Sequence, residues 1–527
     1  MIKKLTQAML ALALVGGMSA CTKSMNGVDE GTTSATGDTY MSVTFSTANP
    51  NSTRAITGEE DESFNPIGEY MGRDEIKSVN VYVINLPQEN IDKKTFTTVT
   101  LNPDKNDNTN DFRTEAWKTT PGEKIVYVYV NIAGTEIETE LDKATSKTAF
   151  EKANKKAYAL TENGAVKAVY AKLEGGKDII AMSSKEGVDL TVTAGVKKAE
   201  AEAMAPATPK NRAKVSVRRL VAQAAVTASA EKFNIESAGT TIATLGDLKW
   251  DVMQFEKKTY LAAQPTEARQ DAKLAKFCMS PSFDFVTDDA TNLFSSAADH
   301  YEYRAFKGED VKTFTRKTNE ENVKAIVANT MKFITETTHQ DGGKLEDAAD
   351  PKTGYRKGNT TYVIVSAKIT PVDAAWAEGE KATYTANGGG DLFLGVQDRK
   401  FYASLDNAKA ANKSTVITET DAPNTRDNVI KYTGGICYYV AWLNPNTATA
   451  GEPIVSPILR NNIYHVNITG MKRLGYSGNP FNPGGDNPKD PDDPTPDPKE
   501  TLYPIDTYMA VEINVVNWGV HSYDHEF

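Results

Sequence analysis

Alternation of apolar and polar residues with a period of two is the main pattern along this chain. Residues 78–84 alternate in this way, and residues 125–132 are β-branched or aromatic almost throughout. Such runs, bounded by Gly, Asn, Asp and Pro, are typical of β-strands. Further strands are predicted at residues 214–222, 361–369, 391–396, 436–442 and 463–468. Helical patterns are confined to residues 141–157 and 197–204. Because strands and helices do not alternate regularly, the sequence predicts a mainly β protein built from antiparallel sandwiches.

The length of the chain sets the number of domains. A chain of 527 residues suggests about three domains of ordinary size. We predict a boundary near residue 262, after the strand that contains Trp250, which divides the body into domains 55–262 and 263–479. Eight of the 23 prolines then lie in residues 480–505, which we interpret as an extended tether that precedes a tail at 506–527.

The amino terminus carries an export signal. Lys3 and Lys4 precede an apolar stretch at residues 5–15, which is too short to span a membrane, and small residues then lead to Cys21. We therefore interpret residues 1–20 as a secretion signal that resembles a lipobox, with Cys21 lipidated, and residues 21–54 as a propeptide. The alternative is a plain signal peptide cut near Ala20, with Cys21 incidental.

Charge and cysteine content exclude several classes of protein. Asp and Glu exceed Lys and Arg by 70 to 59, which argues against a nucleic-acid partner. Three cysteines are too few for a disulfide framework or a cysteine zinc site, and Cys437 lies in an apolar strand where packing is its expected role. Residues 388–390 are interpreted as a loop turn and residues 490–493 as a solvated linker rather than a calcium loop. With no catalytic motif in the sequence, we expect no enzyme activity, no cofactor and no metal site.

The two ends of the mature chain share a strand pattern. Residues 39–46 read TYMSVTFS and residues 507–514 read TYMAVEIN. After Tyr40, the side chains of Met41, Val43 and Phe45 alternate with small polar residues, and after Tyr508 those of Met509, Val511 and Ile513 follow the same period. If the first strand were removed, the tail strand of another molecule would fill the open groove with the same pattern. Coincidence between two ordinary strands is the alternative, because eight residues are few.

Arg54 offers a way to remove the first strand. It is the first arginine of the chain and lies in a polar, extended segment at residues 49–56, where proteases usually cut. A cut between Arg54 and Ala55 would release residues 1–54; the alternative is an ordinary solvated loop arginine. The proline-rich tether would reach up to about 75 Å, and head-to-tail strand donation that does not close produces filaments.

Several motifs are similar to those of one known family. They are VRRLVA at 217–222, GNTTYVIV at 358–365, YYVAWLNP at 438–445, RNNIYHV at 460–466 and NWGVHSY at 517–523. The chain resembles the fimbrillins of Bacteroidales, most of all the major structural subunit of the short (Mfa-type) fimbriae.

This resemblance implies two transthyretin-like antiparallel β-sandwich domains plus an extended C-terminal donor strand. It also implies a precursor anchored by lipid at the outer membrane, and an arginine-specific protease that cuts at Arg54–Ala55. The donor would lie within residues 508–518, so that it includes Val515 and Trp518. Adhesion to host or bacterial surface receptors and accessory fimbrial anchor and tip subunits are further implications.

The sequence therefore predicts a structural pilin of a cell-surface fimbrium that polymerises with itself. A fimbrial anchor or tip subunit of the same fold is a rival, but the presence of both Arg54 and the tail favours the stalk. A monomeric surface lipoprotein that binds glycans or other nutrients is another. It is weakened because the tryptophans are spread singly, at Trp117, Trp250, Trp376, Trp442 and Trp518.

Overall fold

The computed structural model of the chain describes most of its two β-rich halves. The described residues are 37–47, 66–70, 73–97, 99–101, 111–184, 186–204, 207–264, 278–283, 299–303, 306–315, 318–328, 330–339, 354–413, 428–445, 455–480, 502 and 509–518. The predicted signal peptide, Cys21, Arg54, Ala55, Tyr508 and most of the predicted tether lie outside these residues.

Strands dominate the described structure. The strands up to residue 219 are β1 (Thr39–Thr47), β2 (Pro66–Tyr70), β3 (Val79–Asn85), β4 (Asn90–Phe96), β5 (Thr100–Leu101), β6 (Asp111–Arg113), β7 (Trp117–Thr119), β8 (Gly122–Val130), β9 (Ala157–Ala159), β10 (Thr161–Glu162), β11 (Ala165–Val166), β12 (Ala171–Glu174), β13 (Lys177–Ile180), β14 (Met182–Ser184), β15 (Val188–Val192) and β16 (Arg212–Arg219). The later strands are β17 (Val221–Ala228), β18 (Phe233–Ser237), β19 (Thr240–Met253), β20 (Lys258–Tyr260), β21 (Glu309–Asp310), β22 (Lys312–Thr313), β23 (Met331–Thr335), β24 (Tyr362–Pro371), β25 (Leu392–Gly395), β26 (Phe401–Tyr402), β27 (Val429–Tyr432), β28 (Ile436–Trp442), β29 (Asn462–Met471) and β30 (Met509–Trp518). The helices are α1 (Glu136–Asp142), α2 (Lys147–Asn154), α3 (Lys198–Ala201), α4 (Asn319–Val327), α5 (Glu380–Ala386) and α6 (Leu405–Ala411).

One large sheet forms the N-terminal half. Its order is β4-β3-β8-β14-β16-β1-β6-β5, with β15 paired to β8 and β7 paired to β1. Helices α1 and α2 cover the sheet by burying Ile137, Leu141 and Phe150 in the same apolar core as the strands. Strand β1 therefore lies inside the sheet and not at its edge.

Two large sheets form most of the described C-terminal half, beside a small sheet of order β26-β25-β27. One has the order β2-β30-β29-β17-β22, with β23 on β17, and the other has the order β18-β19-β24-β28, with β21 on β19. Side chains from both sheets, among them Trp250, Val365 and Val466, share one buried core. This half is therefore a β-sandwich, as the alternating strands predict.

Most strands predicted from alternation are present as single strands, whereas one predicted helix and one predicted strand are each divided in two. Residues 141–157 contain the end of α1 and a separate helix α2, because the Ser146 side chain accepts a hydrogen bond from Ala149 N and starts the second helix. The predicted strand at 214–222 is divided at Leu220, where the chain passes from β16 in the first sheet to β17 in the sandwich.

This division also corrects the predicted boundary at residue 262. Strands β17, β18 and β19 pair with strands of the C-terminal half, so the change of sheet occurs at Leu220. The pairing is parallel between β17 and β29, and it joins residues more than 200 positions apart. Such a distant partner leaves no local signal in the sequence, since the alternation of a strand is the same in either sheet.

Among the described helices, none is long and apolar enough to cross a membrane.

Candidate strand-insertion site

Strand β1 has hydrogen-bonded neighbours on both edges. It runs parallel to β16 on one side, where Ser42 pairs with Arg212 and Thr47 with Val217. On the other side it runs antiparallel to β7 and then to β6. Between these two short strands, Thr114 closes the gap, because Val43 N donates to its Oγ1 at 3.0 Å and its own N donates to Val43 O at 2.9 Å. Removal of β1 would therefore open a slot with two unpaired edges.

The apolar face of β1 is completely buried. Met41, Val43 and Phe45 each have an exposed fraction of 0%. The ring of Phe45 stacks on that of Phe112 with 5.5 Å between centroids. At about 1.5–3 kcal/mol for each buried side chain, these three residues contribute about 5–9 kcal/mol before the entropy of ordering the strand is subtracted.

The polar face of β1 lies beneath α3 and carries no charge of its own. Ser42 Oγ donates to Ala201 O at 2.6 Å and accepts from Arg212 Nε at 3.0 Å. Arg212 also donates through Nη2 to Ala201 O, at 2.7 Å. Burial, together with the nearby guanidinium of Arg113, lowers the pKa of Arg212 to about 10, although Glu202 opposes this shift. Arg212 and Arg113 therefore lie near each other on this side of the slot, with Glu202 close by.

The tail strand β30 is seated in its own chain. It pairs antiparallel with β29 from Met509 opposite Met471 to Asn517 opposite Asn462. Strand β2 pairs with its other edge in parallel. Met509 is 1% exposed and belongs to the sandwich core, against which Val511 also packs.

The sequence predicts this tail as an extended donor strand, whereas in the structure it is paired within its own chain. Without the tail, strand β29 would have an unpaired edge on the side away from β17. The backbone N–H and C=O groups of such an edge readily pair with a nearby strand. Two strands of similar sequence thus occupy different sheets of one chain. Of the predicted donor residues, Ile513, Val515 and Trp518 are placed by their backbone only.

The sequence reasoning missed strand β2 (Pro66–Tyr70). Its sequence PIGEY shows no alternation and contains proline and glycine, so no strand signal was available. β2 follows the segment that contains Arg54. That segment consequently joins β1 in the first sheet to the strand that lies beside the tail.

The remaining candidate residues lie in packed surroundings. Cys278 and Cys437 are buried thiols, and burial raises the pKa of the Cys437 thiol to about 11, in accord with its predicted packing role. Trp250, Trp376 and Trp442 are at most 9% exposed, so these three do not form a surface stacking platform. Within the described part of the chain, no group of three His, Cys, Asp or Glu side chains is arranged to hold a metal ion.

Comparison with known proteins identifies the family. Residues 430–524 match the family described as "Major fimbrial subunit protein type IV, Fimbrillin, C-terminal". The chain is 35% identical over 557 residues to a protein named "Minor fimbrium subunit Mfa1" from Porphyromonas gingivalis, with 99% of this chain and 100% of the relative covered.

Solved structures of similar proteins include a putative cell adhesion protein from Parabacteroides distasonis, at 13% identity, with 92% of this chain and 100% of that chain covered and a TM-score of 0.41. A fimbrilin from Porphyromonas gingivalis W83 matches at 13% identity, with 92% and 99% covered and a TM-score of 0.41. Because the 35% identity extends over nearly its whole length, the chain belongs to the fimbrillin family and is a structural, non-enzymatic subunit of a cell-surface fimbrium that assembles with other fimbrial subunits.

Proposed function

We propose that this chain is the pilin that builds the stalk of an adhesive fimbrium, by donor-strand exchange between successive copies. The observation that carries the proposal is the position of β1. Its apolar face is fully buried inside a sheet, it precedes the proposed cut at Arg54, and the tail strand β30 repeats its alternation.

Proteolysis is the proposed trigger. A cut between Arg54 and Ala55 by an arginine-specific protease separates β1 from the rest of the molecule, after which only non-covalent contacts hold β1 in its slot. The same cut removes the lipid that we propose on Cys21, and so frees the subunit from the outer membrane. Several other arginines are sheltered by the fold, since Arg218, Arg219 and Arg460 are at most 5% exposed.

Strand replacement is the proposed second step. Strand β30 leaves β29 and β2 and enters the slot of a neighbouring copy, with Met509, Val511 and Ile513 at the positions of Met41, Val43 and Phe45. The register is strongly determined, because a shift by one residue would turn every apolar side chain towards the polar face. We also propose that accessory anchor and tip subunits lie at the two ends of the stalk. The assembled fimbrium would then bind receptors on host or bacterial surfaces.

The trigger is tested by substitution at Arg54. Arg54→Lys keeps the charge but removes the site of an arginine-specific protease, so we expect uncut, lipidated precursor and no filaments. Arg399→Lys is the matched control, because Arg399 lies in an exposed turn and should be dispensable. Electron microscopy of surface material and amino-terminal sequencing provide the measurements. SDS-resistant ladders formed by Arg54→Lys, or a mature terminus other than Ala55, would refute activation at this site.

A further inference from the structure

Lys124 is a buried lysine whose side-chain nitrogen is hydrogen-bonded to neutral oxygens. It lies on β8 and is 2% exposed. Its Nζ donates to Asn85 Oδ1 and, at 3.2 Å, to Thr120 Oγ1. Burial lowers the pKa of Lys124, although the charge of Asp92 opposes this shift. Since burial disfavours the ammonium form, the neutral amine, which is a nucleophile, is easier to reach here than at the surface.

The register of three strands brings Lys124, Asn85 and Asp92 to one face of the first sheet. Asn85 ends β3 and is paired directly with Lys124 on β8. Asp92 on β4 is paired with Val83, two residues before Asn85. Directly paired residues share a face, and so do residues two positions apart on a strand, which places the three side chains together. Asn85 is 7% exposed, so both members of the Lys124–Asn85 pair are buried.

The hydrogen bonds of Asn85 orient its side-chain amide for substitution. Its Oδ1 accepts from Lys124 Nζ, and because Oδ1 is bonded directly to Cγ, this contact also holds Nζ close to the carbonyl carbon. Its Nδ2 donates to Asp92 Oδ2 at 2.8 Å and to Asn90 O at 3.2 Å. A nucleophile thus lies at the oxygen of the amide and a carboxylate at the nitrogen that would leave.

We propose that Lys124 and Asn85 form an isopeptide bond within the folded chain, with Asp92 transferring the proton. The neutral amine Nζ attacks Cγ, a new N–C bond forms, and the bond between Cγ and Nδ2 breaks. Asp92 carries one proton from the attacking nitrogen to Nδ2, which departs as ammonia, so the reaction consumes no oxidant or other reactant. The product is a neutral amide, and the unfavourable burial of an ammonium group is removed.

This bond would join two neighbouring strands, β3 and β8, of the sheet that contains β1. Unlike the hydrogen bonds of the ladder, it persists when the chain unfolds, and it restricts the unfolded chain as a disulfide does. The modification goes beyond the proposed donor-strand exchange and does not depend on it.

The test is mass spectrometry of the purified full-length chain after unfolding and digestion with trypsin. We expect residues 78–93 and 119–143 to appear as one cross-linked peptide, lighter than the two separate peptides by one ammonia molecule, and uncut after Lys124 because its amine is acylated. Lys124→Arg keeps the positive charge but cannot form the bond, so the two segments should separate. Lys118→Arg is the matched control, because Lys118 forms an exposed ion pair with Asp38, and this variant should keep the cross-link.

The role of Asp92 is tested by Asp92→Asn. Loss of the proton-transfer group should slow formation of the cross-link about a hundredfold, measured in chain collected at successive times after expression begins. A cross-link that forms at the wild-type rate in this variant, with circular dichroism showing it folded, would refute the role of Asp92.

The wild-type chain alone decides whether the bond exists. Recovery of residues 78–93 as a separate peptide of unchanged mass, with cleavage after Lys124, would refute the isopeptide bond whether or not any variant folds. Since the measurement requires no filament, a failure of donor-strand exchange would leave its result unchanged.

Discussion

Glu256 is a buried carboxylic acid that the alternation pattern did not reveal. It is 1% exposed, and its Oε1 accepts a hydrogen bond from Ser282 N at 2.6 Å. Burial raises the pKa of Glu256 to about 8, and the nearby Glu336 raises it as well. The folded chain therefore keeps Glu256 protonated at neutral pH, whereas the unfolded chain ionises it near pH 4.3.

The stability that Glu256 contributes should depend on pH in a definite direction. Because the pKa is higher in the folded state, this contribution is fully present below about pH 4.3 and is lost as the pH rises towards 8. We expect the free energy of unfolding of the wild type, relative to Glu256→Gln, to fall by about 1.4 kcal/mol per pH unit between pH 5 and 8. Urea unfolding at several pH values measures this difference.

Two buried histidines act in the opposite direction, and they make the Gln variant a necessary reference. Burial lowers the pKa of His339 to about 4 and that of His465 to about 3. The free energy of unfolding that these two histidines contribute therefore decreases as the pH falls. Their contribution is the same in both chains and cancels in the difference. A difference that does not change with pH would show that Glu256 is ionised in the folded protein.

Single side chains show where prediction from the sequence succeeds. Met41, Val43 and Phe45 were predicted to share one face of a strand, and all three are buried together. Thr114 was not predicted, although it closes the edge of that strand, because its contact joins residues 71 positions apart. Alternation reports which side of a strand is apolar, but it is silent on which distant residue pairs with it.

At the scale of elements, strand type was predictable and strand partner was not. β28 was predicted at residues 436–442 and is observed at Ile436–Trp442. By contrast, the alternation of β17 and β30 did not show that both lie in one sheet on either side of β29. Their pairing depends on the shape of the folded sandwich, and therefore the sequence indicated neither the change of sheet at Leu220 nor the pairing of the tail within its own chain.

The tail strand can be removed without opening the sandwich. Without residues 507–527, β29 keeps its parallel pairing with β17, and of the side chains that the structure describes the core loses Met509 and the partly buried Val511. We expect this truncation to lower the free energy of unfolding by about 2–4 kcal/mol while both halves stay folded. Filaments should not form, because the truncated chain has a slot but no strand to donate.

A mixing experiment completes the test of the tail. The cleaved, truncated chain should terminate filaments of the wild-type chain, since it accepts a tail and offers none. Light scattering and electron microscopy measure filament length as the truncated chain is added. Filaments of normal length from the truncated chain alone would refute the donor role of the tail.

At the scale of the molecule, the two halves are joined by a network of buried hydrogen bonds. Ser183 Oγ on β14 and Arg460 Nη1 both donate to Leu261 O, at 2.5 Å and 3.4 Å. Arg460 also donates to Glu336 Oε2 at 2.8 Å, and both side chains are 1% exposed. In the proposed filament, tension enters a subunit through the slot in the first sheet and leaves through the tail in the sandwich. The junction between them must therefore bear the load.

Arg460 should consequently control how the subunit unfolds. Arg460→Met leaves the Glu336 carboxylate buried without its guanidinium partner, which typically costs about 3–5 kcal/mol. We expect calorimetry to show a lower melting temperature and a separation of the two halves into distinct transitions, with new proteolytic cuts near residues 258–262.

Lys381→Met is the matched control, because Lys381 and Asp373 form an ion pair that is 52% and 84% exposed. Its loss should change the free energy of unfolding by less than about 1 kcal/mol. Adding Glu336→Leu to Arg460→Met removes the unpaired charge and should recover much of the loss. A single, unshifted transition in Arg460→Met would show that the two halves are coupled by other contacts.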